Sequence, residues 1–121
     1  MRQALLLQRL KNGAATVDHV DALRWATEGG ARCLGREDIG RIEPGLEADL
    51  ALFRLDELRH SGGHDPLATL VVCGTGRADR VMVGGTWRVE EGHAADIDEP
   101  DLMRRHDQAA RRLRQLAGLE G

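Results

Sequence analysis

Two adjacent glycines, Gly84 and Gly85, separate two short stretches rich in apolar residues, at 80–83 and 86–89. Because glycine accepts the backbone angles of a two-residue turn, this pattern predicts a β hairpin. Residues 49–53 form one further short apolar stretch, which predicts a buried strand. Two or three short strands are only marginally stable by themselves. The chain must therefore cover these strands with helices or pair their edges with another chain.

Apolar residues recur at helical spacing in three longer stretches of the chain. We expect Gly13 to end the first helix, Thr16 to be the N-cap of the second and Gly35 to follow its end. Asp98 can cap the third helix. The three predicted helices span residues 2–12, 17–34 and 99–117.

Turn signals divide the region between these helices. Pro44-Gly45 favours a type II turn, and Asp65-Pro66 favours the start of a short helix. Periodicity leaves open whether residues 67–73 form a helix or a strand. Glu91-Gly92 is expected to end the hairpin. Strands and helices do not alternate regularly, so the order excludes a self-contained doubly wound sheet.

Composition and charge narrow the function classes. Of 121 residues, 41% are apolar and 31% are charged, which indicates a soluble globular protein rather than a disordered one. The net charge of -3 argues against a nucleic-acid partner, and no apolar stretch approaches the length of a membrane span. Two cysteines cannot form a disulfide framework, so a reducing cytoplasm is the expected location.

The histidines of this sequence do not occur at the spacings that are typical of metal ligands. His60, His64 and Asp65 form the one near-cluster, and on a helix His60 and His64 would share a face suited to zinc. Ser61 and two following glycines make a loop the better interpretation there. We therefore predict that the chain binds no metal or cofactor and that these side chains form a polar surface loop.

Other reactive residue types also lack a catalytic setting. Ser61 has no nucleophile-elbow motif, and a triad with His64 and Asp65 would crowd one loop. Cys33 and Cys73 are expected to be small buried apolar residues. Residues 74–76 predict a turn rather than a phosphate cradle, and the arginines of the last helix predict a solvated face. No catalytic, cofactor-binding or metal-binding residue is therefore assigned.

Residues 38–53 carry a specific motif, G-x-I-x-P-G-x-x-A-D-L, from Gly40 to Leu50. This motif resembles a recurrent C-terminal signature of metal-dependent deaminases of the amidohydrolase superfamily. Residues 22–35, 64–71 and 81–92 extend the resemblance, which is greatest to the 8-oxoguanine deaminase and hydroxyatrazine or chlorohydrolase branch. The resemblance covers nearly the whole chain.

This resemblance implies an α/β fragment of a larger enzyme. Residues 1–36 would be the last helices of a (β/α)8 barrel, residues 37–95 the C-terminal strands of a small β-sandwich, and residues 96–121 a C-terminal helix. The family's zinc ligands and acid/base glutamate match no residue here, so zinc is implied for the full-length enzyme only. We expect the chain to correspond to about the final quarter of such an enzyme.

Two functions remain in competition. The chain is either part of a hydrolase of carbon–nitrogen bonds that deaminates a purine or triazine-type ring in the full-length enzyme, or a catalytically inactive, stand-alone, oligomeric structural or binding module. A DNA-binding helix-turn-helix over residues 3–34 is disfavoured by charge. The partner is expected to be a second copy of the chain or the missing N-terminal part of the enzyme. A compact monomer, with helix 99–117 folded over the strands, is the alternative.

Overall fold

The computed structural model describes residues 1–119, which form a small α/β fragment with one four-stranded antiparallel sheet. No helix in this range is long and apolar enough to cross a membrane. The helices are Arg2–Asn12 (α1), His19–Arg24 (α2), Gly30–Cys33 (α3), Pro66–Ala68 (α4) and Glu99–Leu116 (α5). The strands are Leu50–Leu52 (β1), Arg80–Val83 (β2), Thr86–Glu90 (β3) and His93–Ala94 (β4).

The second predicted helix forms, but it begins later than expected. Its N-cap is Asp18, whose carboxylate accepts from the Asp21 amide at 2.9 Å while the Asp21 carboxylate accepts from the Asp18 amide at 3.1 Å. This reciprocal pair satisfies two helix-end donors at once. Thr16 is not the cap, because its hydroxyl donates to the Gly13 carbonyl in the turn after α1.

A π-helical turn, Trp25–Gly29, joins α2 to α3. The π-helical turn ends at Gly29 and α3 begins at Gly30, with both glycines in helical conformation. Gly40 packs directly on this turn, since a Cβ atom at Gly40 would lie 3.0 Å from the Thr27 carbonyl oxygen and 2.9 Å from the Ala31 Cβ. The motif glycine thus brings the segment before β1 against the helical layer.

The sheet has the strand order β1-β2-β3-β4. Gly84 and Gly85 both have positive φ, at 54° and 76°, as a two-residue hairpin turn requires. Glu91-Gly92 ends the hairpin as predicted, since β3 stops at Glu90. These two residues also have positive φ and make a second tight turn into β4. Glutamate gives no sequence signal for this conformation, so β4 was not expected.

The buried core is small and lies in the helical layer. Leu5 of α1, Ala22 of α2 and Val71 pack together, and Val17 and Leu23 lie against them. Val71 belongs to a second π-helical turn, Thr69–Cys73, which settles residues 67–73 as helical. Asp65 caps α4 before this turn, as predicted.

The strand predicted at 49–53 is not buried. Ala51 is exposed and Leu52 is 43% exposed, because no described element packs on that part of β1. Helix α5 begins after Asp98 as expected, yet none of its residues is buried. Apart from the contacts of Glu99 with β4, α5 therefore does not cover the strands. The final two residues of the predicted 96–121 segment lie outside the described residues.

Candidate functional site

The structure separates the three residues of the predicted near-cluster. His60 ends a 3₁₀ turn, Leu58–His60, and is buried, whereas His64 is exposed. Asp65 uses its Oδ1 to cap α4, accepting from the Leu67 and Ala68 amides at 2.9 and 3.0 Å. Within residues 1–119, no three His, Cys, Asp or Glu side chains lie close enough together to hold a metal ion.

Asp65 instead contacts a residue from a distant part of the chain. Its Oδ2 lies 3.0 Å from Nε2 of His19, the first residue of α2. The Ala68 amide lowers the pKa of Asp65 most, partial desolvation acts in the opposite direction, and the Leu67 amide and His19 lower it further. The sequence contains no signal for this pair, because only the packing of α2 against α4 brings the two side chains together.

His60 anchors the loop that precedes α4. Its Nε2 lies 3.0 Å from the Gly74 carbonyl oxygen, so Nε2 carries the proton and donates. Its Nδ1 is buried and has no hydrogen-bond partner among the described residues. Gly63 closes the same loop, where a Cβ atom would collide with the Thr69 side chain. These contacts anchor the loop to the second π-helical turn.

Ser61 lies at the surface beside an open depression of about 450 Å³. The depression is shallow and has two acidic residues, Asp56 and Glu57, but no histidine in its lining. Both carboxylate oxygens of Asp65 already have partners. Ser61, His64 and Asp65 therefore do not form a catalytic triad in this structure.

The two cysteines are exposed, which contradicts their predicted burial. Cys33 ends α3 and Cys73 ends the second π-helical turn, so each lies where a helical segment meets solvent. Their apolar neighbours Leu34 and Val72 are exposed as well, at 71% and 45%.

Two other sequence interpretations agree with the structure. Gly74 has positive φ and ends the second π-helical turn, and residues 74–76 lie in neither a helix nor a strand. The arginines of α5 lie on a solvated face, where Arg111 pairs with Asp107 at 2.6 Å and Arg104 pairs with Asp101. Such exposed pairs contribute little to stability.

Comparison with known proteins identifies the source of this architecture. The model of the Amidohydrolase family matches residues 1–88. An 8-oxoguanine deaminase from Pseudomonas aeruginosa is 58% identical over 112 residues, which are 93% of this chain and 25% of that protein. The chain belongs to the amidohydrolase family. It spans about a quarter of the length of the curated relatives that it matches.

Two solved structures show the same fold at high similarity. An adenosine deaminase from Xanthomonas campestris with bound zinc matches with a TM-score of 0.84 and 33% identity, over 94% of this chain and 27% of that one. An atrazine chlorohydrolase from Arthrobacter aurescens TC1, complexed with zinc, matches with a TM-score of 0.78 and 35% identity, over 86% and 24%. The described residues of the present chain do not supply a ligand set that fits zinc.

Proposed function

We propose that this chain is the C-terminal portion of a zinc-dependent cytoplasmic hydrolase that deaminates a purine or triazine-type ring. The observation that carries the proposal is the 58% identity to an 8-oxoguanine deaminase along 93% of the chain. In the full-length enzyme zinc would supply an activated hydroxide. The residues that hold zinc and move the proton belong to the remainder of the enzyme.

In this proposal the chain supports the catalytic part without taking part in chemistry. Residues 1–36 pack as the last helices of a (β/α)8 barrel, and residues 37–95 complete a composite β-sandwich. The exposed apolar side chains of α1 support this role, because Leu7 and Leu10 are 63% and 85% exposed. Burial of such side chains against the remainder of the enzyme would stabilise both parts.

A chimeric enzyme tests the proposal. The aligned C-terminal segment of the Pseudomonas aeruginosa 8-oxoguanine deaminase is replaced by the present chain, and zinc content and 8-oxoguanine deamination are measured. We expect a soluble chimera that holds zinc and turns over 8-oxoguanine. A matched chimera with Leu5→Asp, which places a charge in the small core, should be insoluble or inactive. A soluble chimera that holds zinc but deaminates neither 8-oxoguanine nor a triazine would contradict the proposal.

The second candidate is an inactive stand-alone module. The four-stranded sheet and the buried Leu5–Ala22–Val71 cluster favour this module, because both are formed by residues of this chain alone. A cooperative thermal unfolding transition of the isolated chain, together with an inactive chimera, would favour this module over the enzyme portion.

A further inference from the structure

Two histidines of the described residues contact a carboxylate, and the two contacts differ in what they join. His93 and Glu99 are close in the sequence, and their contact joins β4 to the start of α5. His19 and Asp65 are far apart in the sequence, and their contact joins the first residue of α2 to the N-cap of α4. The contact between His19 and Asp65 therefore holds two separate helical segments together.

The other polar contacts around α4 stay within its own part of the chain. His60 donates to the Gly74 carbonyl oxygen at 3.0 Å, which anchors the loop that precedes α4. The Asp65 carbonyl oxygen accepts from the Thr69 hydroxyl at 2.8 Å, which closes the first turn of α4. Among the described residues, the polar side-chain contact between α2 and α4 is that of His19 with Asp65, and the small apolar core holds the same two layers together.

We propose that His19 and Asp65 form a proton-operated latch, which holds α4 against α2 more firmly when the imidazole of His19 carries a proton. An imidazole changes its charge between about pH 5 and pH 8. A neutral imidazole can donate one hydrogen bond to the Asp65 carboxylate, whereas an imidazolium adds the attraction of a full charge to the same bond. The two side chains are 25% and 52% exposed, so solvent screens their attraction only in part.

The charges around His19 favour this latch. Asp18 and Asp21 lie at the start of α2, and the charges of Asp18 and His19 attract each other. Arg9 of α1 is the opposing cation, because its Nε donates to the Val17 carbonyl oxygen at 3.0 Å near this end of α2. The positive end of the helix dipole opposes an imidazolium as well. Together with Asp65, the two acids of α2 outnumber this one cation, so a protonated His19 is attracted to its surroundings. The remaining titratable groups of α2 and of the segments that pack against it are Arg2, Lys11, Arg24, Glu28, His64 and Cys73.

A double-mutant cycle at two pH values tests the latch. His19→Gln keeps a neutral donor near the position of Nε2, and Asp65→Asn keeps the cap of α4, so the cycle measures the contribution of charge. In urea unfolding of the full chain, we expect the double variant to depart from the product of the two single effects on the unfolding equilibrium constant by about two- to fivefold at pH 5.5. At pH 8.5 we expect a departure below about 1.5-fold.

Salt and a second histidine provide the controls for this cycle. Sodium chloride at about 0.5 M should reduce the departure at pH 5.5, because it screens the ion pair. A matched cycle with His106→Gln, on the exposed face of α5, should show no departure at either pH. Equal departures of the His19 cycle at pH 5.5 and pH 8.5, or none at either, would overturn the proposal.

Amide hydrogen exchange tests the same latch locally. The Ala68 amide donates to Asp65 Oδ1, and the Asp101 amide donates in the same way to Asp98, the N-cap of α5. Because release of α4 from α2 loosens its cap, we expect the protection of the Ala68 amide, relative to its intrinsic exchange rate, to fall about two- to fivefold from pH 5.5 to pH 8.5. The protection of the Asp101 amide should not change, and His19→Gln should abolish the change at Ala68. An unchanged protection at Ala68, or an equal change at both amides, would overturn the proposal. Neither measurement uses zinc or activity, so this inference fails or holds separately from the proposed function.

Discussion

Asp65 is a single residue on which two helices depend. Its Oδ1 caps α4, and its Oδ2 contacts His19 at the start of α2. Both contacts favour the ionised carboxylate, which is why the pKa of Asp65 lies below its ordinary value. A carboxylate with a lowered pKa contributes stability above its unfolded-state pKa and loses it as the pH falls through the folded-state pKa.

Asp65→Asn should therefore flatten the acid side of the stability profile. Asparagine can still cap α4 through its side-chain oxygen, so the variant removes the charge rather than the cap. We expect the free energy of unfolding to fall less steeply between about pH 5 and pH 2 than in the unsubstituted chain. Denaturant titrations across this range measure it, with Asp107→Asn on the exposed face of α5 as the control. An unchanged slope in Asp65→Asn would exclude Asp65 as a source of acid sensitivity.

Gly40 and Gly45 form a matched pair for testing the contact between the motif and the helical layer. Both have positive φ, at 89° and 91°, so alanine costs each about 1–2 kcal/mol of backbone strain. Only at Gly40 would the new Cβ atom meet Ala31 and Thr27. Gly40→Ala should therefore destabilise the chain by about 1–3 kcal/mol more than Gly45→Ala. Equal losses in urea unfolding would show that this contact is not tight.

At the residue scale, short sequence patterns predicted N-caps correctly, but they did not predict contacts between residues that are distant in the sequence. Asp65 and Asp98 were identifiable as N-caps because a proline follows each within two residues. Asp18 rather than Thr16 is the N-cap because the Asp21 carboxylate also accepts a hydrogen bond from the Asp18 amide. The contact between His19 and Asp65 requires two helices to pack, which no local pattern reports.

At the scale of elements, the helices contribute unequally to stability. Leu5 of α1 is 1% exposed, whereas Leu113 of α5 is 68% exposed. Leu5→Ala should cost about 2–5 kcal/mol, because it leaves a cavity in a core of few side chains. Leu113→Ala should change the free energy of unfolding by less than about 0.5 kcal/mol. Chemical denaturation measures both, and a large loss in Leu113→Ala would show that α5 is covered in solution.

Turns that contain glycine or proline were predicted correctly from the sequence. Two glycines specified the β2–β3 hairpin, and Pro44-Gly45 specified a turn in which the Leu46 amide donates to the Glu43 carbonyl at 3.2 Å. β4 follows a turn whose first residue is glutamate, which is not a typical turn residue, so the sequence did not predict this strand. Burial of residues 49–53 was predicted from apolarity, but burial also depends on what packs against them.

At the scale of the whole molecule, the isolated chain should bind no stoichiometric zinc and should not deaminate 8-oxoguanine. The described residues lack a ligand set, and the activated water requires the metal. Metal analysis of protein purified without chelator, followed by a turnover assay, checks both expectations. One tightly held zinc per chain, or turnover lost in His60→Ala or His64→Ala, would contradict them.

The family of this chain could be inferred from the resemblance of its motif to known proteins, but not from the geometry of its side chains. The motif from Gly40 to Leu50 places the chain in its family, yet its residues serve the fold. Asp49, for example, accepts a hydrogen bond from the Gly84 amide at 2.7 Å and so holds the hairpin turn. This contact positions the hairpin against the segment before β1, so it gives no local signal of a reaction.

The coverage of β4 by Glu99 also limits how far association can proceed. A sheet with two open edges can add chains at both ends and grow into a filament. In this chain the β4 edge is closed by a carboxylate from α5, so a further strand cannot add there. Glu99→Ala releases the Ala94 amide and is therefore expected to open this edge and to increase the binding of amyloid dyes by the chain.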